Sequence, residues 1–439
     1  MARFQTPKGT RDFLPAEMLR RQRIINTVRE AYELFGFQPL ETPVFESWEL
    51  LSAKGGGGEA VKNEIYYFRD KGDRELGLKF DLTVPLARVI ANNPQLPKPF
   101  KRYQIQPVWR YDNPQAGRYR EFWQADVDIA GAIGMEAEAE LIAAAVEVLK
   151  RLGIGEYSIK ISNRKILNGI VEMVGVKDSA NVFRVLDKIE KAGRKETENQ
   201  LKIIMKEAYA KKLLDLISVK GSPARVLSEA KKKFKGIKIA EEGISELERV
   251  VSLVSPYGIK SNIEVDFSLV RGLDYYTGPI FEISVQSEKS PGSVCGGGRY
   301  DGLVELYGGT PTPCAGFSFG VDRLYNLLEA EGNLELPKTK TQVFVVSIGE
   351  NAKNEAAKIA ARLRQGGINT ETDLMGRNVR KQLDYINSMQ IPLTLFVGEK
   401  EIQEDKLTLR EMGSGAERKV YSEDIAEEIK KIIDGDDKC

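Results

Sequence analysis

The feature that most constrains the fold of this 439-residue chain is an alternation of side chains with a period of two, near the end of the segment 102–129. One side is apolar, and it consists of Trp123, Ala125, Val127 and Ile129. The other side is a mostly polar row that ends in carboxylates, namely Phe122, Gln124, Asp126 and Asp128. Successive side chains of a strand point to opposite faces, so one face should belong to a core. Turn formers at Asp112–Pro114 and Gly117 precede this strand, so the segment 102–129 is predicted to be a hairpin.

The chain contains no histidine. This excludes a histidine general base, a Ser-His-Asp triad and any zinc site that needs imidazole. Chemistry must therefore rely on carboxylates, arginines, lysines, amides or the substrate itself. Lys plus Arg is 65 and Asp plus Glu is 64, so any contact with nucleic acid must come from local basic patches.

Cysteine usage and hydropathy predict a cytoplasmic protein. Cys295, Cys314 and Cys439 are far apart and odd in number, which argues against a disulfide framework and for a reducing compartment. The N-terminus lacks an apolar signal core, and no apolar run reaches the roughly 18 residues of a membrane span. Neither secretion nor membrane insertion is expected.

The length predicts two or three domains. A first helix should begin near Pro15 and end before Gly36. The extended piece that follows, 39–45, contains two prolines, which favour an edge strand. Charged residues with a helical period across 163–255 indicate a helical insertion. After a linker at 331–337, strands that alternate with helices predict a separate α/β unit.

Two arginines flank the loop of the predicted hairpin. Arg110 ends the first strand, Arg118 closes the loop, and the aromatic Phe122 follows. This pattern suits a site that holds a triphosphate and stacks a purine. A surface hairpin with solvated charges explains the spacing equally well. Gln124 and Asp128 need partners in their apolar neighbourhood, which a ligand ammonium or an imidazole N–H would supply.

The glycine runs and Arg271 also have simple structural explanations. Neither Gly55–Gly58 nor Gly296–Gly298 is followed by Gly-Lys-Ser/Thr, so neither is a Walker loop. Gly55–Gly58 is most simply a mobile loop, with a substrate lid as the functional alternative. Taken alone, Arg271 is most simply the ion-pair partner of Asp266 or Asp274.

Three segments resemble the motifs of class II aminoacyl-tRNA synthetases. The first helix with Pro43 is similar to motif 1, the segment 108–122 to motif 2, and Gly316–Leu324 to motif 3. One departure concerns motif 2, because Asp112 stands where most members have a glutamate; the eukaryotic-type histidyl branch also has aspartate there.

Three further segments select one branch of that class. Arg271–Gly278 and Gly297–Leu303 resemble the two signatures that are specific to histidyl-tRNA synthetases, and Lys8–Asp12 resembles the N-terminus of that family. The resemblance runs from about residue 5 to the end of the chain. It implies an α+β catalytic domain at 1–330, built on a mainly antiparallel sheet of the class II type and interrupted by the helical insertion. It also implies a C-terminal α/β anticodon-binding domain at 338–439.

The implied activity is that of a histidine–tRNA ligase. ATP, accompanied by Mg²⁺, and L-histidine would form histidyl-adenylate and pyrophosphate, and the histidyl group would pass to the 3′ end of tRNA(His). Motif 1 would form a homodimer, and the insertion and the loop 113–117 would lie near the acceptor end of the tRNA. Arg377, Arg380 and Lys381 would contact the RNA, although a solvated helix face explains each of them as well.

The resemblance also implies the residues of the site. The histidine-binding residues would be Asp81, Leu82, Thr83, Gln124, Asp128, Arg271, Tyr275 and Tyr276. The ATP-binding residues would be Arg110, Asp112, Arg118, Phe122 and Arg323. Arg110 and Arg271 would be the catalytic pair, facing the α-phosphate from opposite sides, and no protein ligand to a metal is predicted.

Two other functions remain alternatives. A paralogue of these synthetases is the regulatory subunit of ATP phosphoribosyltransferase, but such proteins generally lack the C-terminal domain and degrade both histidine signatures. An uncharged-tRNA sensor would carry a kinase domain. Neither step of the ligase reaction strictly needs a histidine of the enzyme, which agrees with the composition.

Overall fold

The computed structural model describes residues 4–53, 64–111, 113, 119–176, 179–187, 189–271, 275–287, 292–332, 334 and 337–436. Gly55–Gly58, Asp112, Arg118 and Asp274 lie outside these residues. The chain divides into two compact units. The first consists of Met1–Asp12 and Arg21–Asn333, and the second of Phe13–Arg20 and Leu334–Cys439.

The strands of the first unit form two sheets. They are β1 Gln38–Pro39, β2 Phe45–Ser47, β3 Tyr67–Arg69, β4 Glu75–Leu78, β5 Phe100–Trp109, β6 Glu121–Ala130, β7 Tyr157–Asn163, β8 Lys220–Gly221, β9 Ile263–Asp266, β10 Pro279–Val285, β11 Ser293–Arg299 and β12 Cys314–Gly320. The larger sheet has the order β1-β5-β6-β12-β11-β10-β7-β9-β8, and the smaller has the order β2-β4-β3. In the larger sheet β1 runs parallel to β5 and β7 to β9, and the other neighbours are antiparallel. The prediction of a mainly antiparallel sheet is confirmed.

Helices surround these strands. They are α1 Pro15–Leu34, α2 Trp48–Ser52, α3 Thr83–Asn92, α4 Glu136–Arg151, α5 Arg164–Val174, α6 Ser179–Leu186, α7 Ile189–Ile204, α8 Glu207–Ile217, α9 Pro223–Lys233, α10 Lys238–Val254, α11 Leu303–Leu306 and α12 Val321–Glu331. The helices α5 to α10 occupy the predicted insertion; α7 is interrupted at Gly193, whose φ and ψ of 78° and 159° are not helical. Among the described residues, none of the helices has the length and apolarity needed to cross a membrane.

The predicted hairpin is the pair β5 and β6, in register from Phe100 opposite Ala130 to Trp109 opposite Glu121. The apolar face of β6 is a core face, because Ala125 and Val127 are 0% exposed. The polar face is equally buried, with Asp126 and Asp128 at 3%. The alternative of a solvated surface hairpin is therefore wrong for the two strands.

The glycines at 296–298 lie in β11, inside the sheet between β10 and β12. A Cβ on Gly297 would lie 2.0 Å from the carbonyl oxygen of Gly316 on β12, and one on Gly298 would lie 2.5 Å from that of Pro279 on β10. The backbones approach too closely for side chains at these two positions. The sequence had left the structure of this run open.

The start of the chain largely follows its prediction. Helix α1 begins at Pro15, and its core stripe includes Val28 and Tyr32, whose hydroxyl donates to the carbonyl of Ala125 at 2.9 Å. The extended piece at 39–45 is corrected in detail. Pro39 does lie in an edge strand, but residues 40–44 do not continue it, and β2 begins in another sheet. Prolines lack the N–H that would extend the ladder.

The second unit is an α/β structure. Its strands are β13 Val343–Ser347, β14 Thr370–Thr372, β15 Leu393–Val397, β16 Lys406–Glu411 and β17 Glu417–Tyr421, and its helices are α13 Lys353–Gln365, α14 Val379–Met389, α15 Glu399–Glu404 and α16 Ile425–Asp436. The sheet order is β14-β13-β15-β16-β17. The first three of these strands are parallel, and β16 and β17 add an antiparallel hairpin that the sequence analysis did not predict.

Candidate active site

A cavity of about 360 Å³ in the first unit brings most of the predicted site residues together. Those that line it are Asp81, Thr83, Arg110, Gln124, Asp128, Arg271, Tyr275 and Tyr276. The volume is in the range of small-molecule sites. The side chains come from segments up to about two hundred residues apart in the chain, and the large sheet is what places them in one cavity.

The floor of the cavity is one face of three adjacent strands. Asp126 on β6 is paired with Ser318 on β12, and Ser318 with Gly296 on β11. Directly paired residues project on the same face of a sheet, so these three residues share the floor. Glu282 on β10 is paired with Gly296 and lies on the same face, but it does not line the cavity. In the next row, Asp128 is paired with Gly316.

The glycines of the floor make room for charged side chains. A Cβ on Gly316 would lie 1.8 Å from Oδ1 of Asp128, and a Cβ on Gly296 would lie 1.4 Å from Nη1 of Arg271. Any side chain at either position would occupy the space of a charged group of the cavity. The small residues of β11 and β12 thus define where Asp128 and Arg271 can lie.

Two buried acceptors on the lining of the cavity lack donors. Asp81 precedes helix α3 and accepts a hydrogen bond from the backbone N–H of Val84 at Oδ1, at 3.0 Å. Gln124 donates from Nε2 to Oγ of Ser318 at 2.8 Å. Among the described residues, no donor reaches Oδ2 of Asp81 or Oε1 of Gln124, and both atoms are buried. Buried acceptors need partners, and a ligand ammonium would satisfy both.

The charge state of Asp81 fits such a ligand. Burial raises the pKa of Asp81 to about 6, and the backbone N–H of Val84 and the guanidinium of Arg110 oppose the rise. The carboxylate is therefore mainly ionised at pH 7, while remaining sensitive to mild acid. An ammonium ion placed between Asp81 and Gln124 would favour the ionised form further.

Asp128 is a further buried carboxylate of the cavity. Its Oδ2 lies 2.8 Å from Nη2 of Arg102, and its Oδ1 accepts a hydrogen bond from the hydroxyl of Tyr300. Burial raises the pKa of Asp128, and the charge of Arg102 opposes this. Burial also raises the pKa of Asp126, to about 7, with Arg102 lowering it and Asp128 raising it. The ring centroid of Tyr275 lies 4.9 Å from that of Tyr276 and 5.7 Å from that of Tyr300.

The two predicted catalytic arginines line the same cavity. Arg110 donates from Nε to the carbonyl of Phe80 at 3.0 Å, and its Cζ lies 5.2 Å from the ring centroid of Phe122. Nη1 of Arg271 lies 3.5 Å from Oε2 of Glu282. Arg271 therefore has an acidic neighbour, although the two acids considered from the sequence were Asp266 and Asp274.

Asp266 is occupied elsewhere. Its Oδ1 accepts hydrogen bonds from the backbone N–H and the hydroxyl of Ser268, at 2.9 and 2.5 Å, and its Oδ2 lies 3.8 Å from Nζ of Lys160. The ion-pair explanation that relied on Asp266 is wrong, and Asp274 lies outside the described residues. Arg271 thus remains available to a ligand on the side that faces the cavity.

Some predicted residues do not line the cavity. Leu82 is fully buried, and its carbonyl accepts from Nη2 of Arg102 at 3.2 Å. Phe122 is beside the cavity, next to Arg110. Arg323 is exposed at the start of α12 and donates to the carbonyl of Ser293 at 2.5 Å. Asp112 and Arg118 lie outside the described residues.

Several lining residues were not predicted from the sequence. These are Glu64, Phe80, Asp126, Asp187, Gly296, Gly297, Tyr300, Gly316, Phe317 and Ser318. Asp126 was recognisable, because it shares the alternating row of Gln124 and Asp128. Tyr300 stood inside the second signature. Asp187, which follows α6, gave no sequence signal.

Neighbouring signature residues serve the scaffold. Arg299 is 3% exposed and forms a bidentate ion pair with Glu138 of helix α4, at 2.6 and 2.9 Å. It also donates to the carbonyls of Ala132 and Gly134. Asp301 accepts from the backbone N–H of Cys314 at 3.0 Å. Arg299 and Asp301 thereby hold the end of β11, from which Tyr300 reaches the cavity.

Known proteins provide an independent comparison. A family model described as histidyl-tRNA synthetase matches residues 9–324, and one described as an anticodon binding domain matches residues 342–432. The histidine–tRNA ligase of Pyrococcus furiosus is 40% identical over 428 residues, covering 97% of this chain and 98% of the relative. That of Thermococcus kodakarensis is 38% identical over 440 residues, covering 99% of this chain and 100% of the relative. The crystal structure of histidyl-tRNA synthetase from Nostoc sp. PCC 7120 has a TM-score of 0.84 and 32% identity, and covers 98% of this chain and 100% of that chain.

A large, mainly antiparallel sheet that forms the floor of a cavity lined by Arg110 and Arg271, followed by an anticodon-binding domain, defines a class II aminoacyl-tRNA synthetase. Within that class the full-length matches decide the branch. The chain belongs to the histidyl-tRNA synthetase family.

Proposed function

We propose that the chain is a histidine–tRNA ligase that activates L-histidine with ATP and transfers the histidyl group to the 3′ end of tRNA(His). The observation that carries the proposal is one cavity lined by the buried acceptors of Asp81 and Gln124, by Asp128, and by Arg110 and Arg271. A histidine molecule has the complementary groups: an ammonium, a carboxylate and an imidazole with N–H donors.

In the activation step, a carboxylate oxygen of histidine attacks the α-phosphorus of ATP. A new O–P bond forms, and the bond from the α-phosphorus to the bridging oxygen of pyrophosphate breaks. Negative charge grows on the α-phosphate in the transition state. Arg110 and Arg271 supply fixed positive charge at that point, and neither has to accept or give a proton. In the second step the 3′-terminal adenosine of the tRNA attacks the activated carbonyl, and AMP leaves.

Substrate choice would come from paired polar groups. Asp81, Thr83 and Gln124 bind the α-ammonium, and Asp128 accepts from an imidazole N–H. An amino acid without the ring N–H leaves the cavity-facing acceptor position of Asp128 unfilled, and polar sites of this kind reject such analogues by about 10⁴-fold or more. The lining therefore needs no editing step to exclude apolar amino acids.

For ATP we propose Arg110, Asp112, Arg118, Phe122 and Arg323 as binding residues. Mg²⁺ would enter with the nucleotide as part of the substrate. Among the described residues no group of three possible metal ligands lies together, so we assign it no protein ligand. The homodimer through motif 1, the domain boundaries at 330 and 338, and the cytoplasmic location remain predictions.

The test is ATP–pyrophosphate exchange with each amino acid in turn. Histidine alone should support exchange, and charging of tRNA(His) should follow. Exchange with another amino acid would contradict the assignment of the substrate. No exchange with any amino acid would instead favour a non-catalytic relative, such as a regulatory subunit.

Arg271→Ala tests the catalytic assignment. It should reduce histidine-dependent exchange by about 10²-fold or more, because loss of one preorganised charge-stabilising group costs about 3 kcal/mol in the transition state. Arg377→Ala in the second unit is the matched arginine control and should leave exchange unchanged. Near-normal exchange by Arg271→Ala would refute the assignment.

A further inference from the structure

Arg102 is the third residue of β5 and lies directly opposite Asp128 in the register of the hairpin. Its side chain is 1% exposed, that of Asp128 is 4% exposed, and Nη2 lies 2.8 Å from Oδ2. Arg102 is not among the residues that line the cavity, whereas Asp128 is. Burying a guanidinium costs several kcal/mol unless it is fully compensated, so this position calls for an explanation.

A second buried carboxylate lies near the ion pair formed by Arg102 and Asp128. Asp126 lies two residues away on the same face. Six tyrosine and cysteine side chains face one or both of the carboxylates, and burial raises the pKa of each of them, which keeps them neutral at pH 7. They are Tyr32 on α1, Tyr275 and Tyr276 before β10, Cys295 on β11, Tyr300 after β11 and Cys314 on β12. Asp81 and the cation Lys79 also face Asp126, but Nζ of Lys79 donates to the carbonyl of Thr42 and to Oε1 of Gln106. Among the described residues, Arg102 is the cation in ion-pair contact with Asp128.

Arg102 also contacts the segment that leads into helix α3. The same Nη2 donates to the carbonyl of Leu82 at 3.2 Å, between Asp81 and Thr83. Its Nη1 donates to Oε1 of Gln104 at 3.2 Å, and Gln104 donates to the hydroxyl of Thr42 at 2.8 Å. One rigid guanidinium thus ties the segment that should bind the ammonium to the carboxylate that should bind the ring.

We infer that Arg102 is a positioning residue for recognition of the imidazole ring. It holds Asp128 ionised and aimed at the cavity, so that Asp128 can accept an N–H of a neutral imidazole, and it sets the distance from Asp128 to the segment 81–83. With Tyr300 on Oδ1 and Arg102 on Oδ2, the orientation of the carboxylate is determined. This inference rests on the proposed function, because it takes the substrate to be histidine.

Without the guanidinium, two buried carboxylates at neighbouring positions would share a proton. A protonated Asp128 presents a donor where the ring needs an acceptor. Arg102→Met keeps the length of the side chain and removes the charge. The KM for histidine should rise by about 10- to 100-fold, the range expected for loss of a hydrogen bond to a charged group. The KM for ATP should stay unchanged, and kcat at saturating histidine should change far less.

The pH dependence follows from the same balance. Removal of Arg102 raises the pKa of Asp128 further, so the penalty should be largest at low pH and should shrink as the pH rises and the carboxylate ionises. The ratio of the variant KM to the wild-type KM is the quantity to plot, because titration of the substrate imidazole cancels in it. A ratio that is constant from pH 6 to pH 9 would contradict the inference.

A second change separates charge balance from simple structural support. Arg102→Met combined with Asp126→Asn removes one acid along with the cation. The KM for histidine should then return most of the way to the wild-type value. A lack of recovery would indicate a structural role only. Arg102→Lys keeps the positive charge but lacks the planar guanidinium. Its KM for histidine should lie between those of the wild type and Arg102→Met.

L-Histidinol provides a binding measurement that involves no chemistry, since it keeps the ammonium and the ring but lacks the carboxylate. Its inhibition constant should rise in parallel with the histidine KM in Arg102→Met. If that variant does not fold, Arg102→Lys carries the test, with a severalfold rise in the inhibition constant and an unchanged KM for ATP. If the wild type is active but the inhibition constant for L-histidinol is unchanged in the variant, the role of Arg102 is overturned and the proposed function stands. Absence of histidine-dependent exchange in the wild type would overturn the proposed function instead.

Discussion

Arg271 has a backbone φ of 58°, in the left-handed region that non-glycine residues rarely adopt. This conformation costs about 1–2 kcal/mol for a residue with a Cβ, so the surrounding structure must hold it. Its guanidinium occupies the space above Gly296, beside Glu282. The strain is localised at the residue that is proposed to contact the α-phosphate. The free-energy cost of this backbone conformation and the function of the side chain can therefore be measured separately by substitutions at this one position.

Arg271→Gly and Arg271→Ala should be equally inactive in ATP–pyrophosphate exchange, because both lack the guanidinium. They should differ in stability. The glycine variant should have a free energy of unfolding about 1 kcal/mol higher, since glycine adopts positive φ without a Cβ penalty. Denaturant unfolding followed by tryptophan fluorescence measures this, because Trp48, Trp109 and Trp123 all lie in the first unit. A more stable alanine variant would show that the left-handed backbone is not strained.

At the scale of the element, β11 is a strand whose glycines serve two different purposes. A Cβ on Gly298 would meet backbone atoms of Pro279 and Ile280 at 2.5 and 3.0 Å, which cannot move cheaply. The three nearest neighbours of a Cβ on Gly296 would all be guanidinium atoms of Arg271, with Cζ at 2.5 Å. The first glycine permits strand packing, and the second keeps a space for a charged side chain.

Gly296→Ala should therefore leave the first unit folded and reduce exchange by about 10-fold or more. The added methyl group would displace the guanidinium of Arg271 from its preorganised position at the α-phosphate. Gly298→Ala should lower the unfolding midpoint of the first unit. Gly302→Ala is the matched control, because nothing lies within 4 Å of a Cβ there. Full activity in a folded Gly296→Ala variant would show that Arg271 can act from another position.

The same strands show what sequence alone could supply. The alternation in β6 predicted the hairpin and its polar row, because side chains of opposite character mark the two faces. Glycines carry no such mark, so neither the strand β11 nor the space above Gly296 was predictable. Arg102 could have been placed opposite Asp128 from the hairpin register. Asp187 could not, since its arrival at the cavity depends on how the helices α5 to α10 pack.

At the scale of the whole molecule, the second unit has a core of its own. Val343, Leu395 and Leu409 of its sheet pack with Ile359 of α13 and Ile429 of α16, and all five are at most 3% exposed. The residues proposed for adenylate formation that line the cavity all belong to the first unit. The two steps of the reaction should therefore depend differently on the second unit.

Deletion of residues 338–439 should abolish charging of tRNA(His) while leaving most of the histidine-dependent exchange, because RNA contacts position the tRNA and take no part in adenylate formation. Both rates should be measured on the same preparation, and its tryptophan fluorescence should match that of the full chain, since the deletion removes no tryptophan. Arg377→Ala, Arg380→Ala and Lys381→Ala, combined in the full chain, should reduce charging selectively and weaken its dependence on salt. If the deletion lowered exchange and charging equally while the fluorescence changed, the second unit would be needed for folding of the first. In that case the combined variant would still test RNA contact, because Arg380 and Lys381 are exposed and none of the three residues belongs to the apolar core of the second unit.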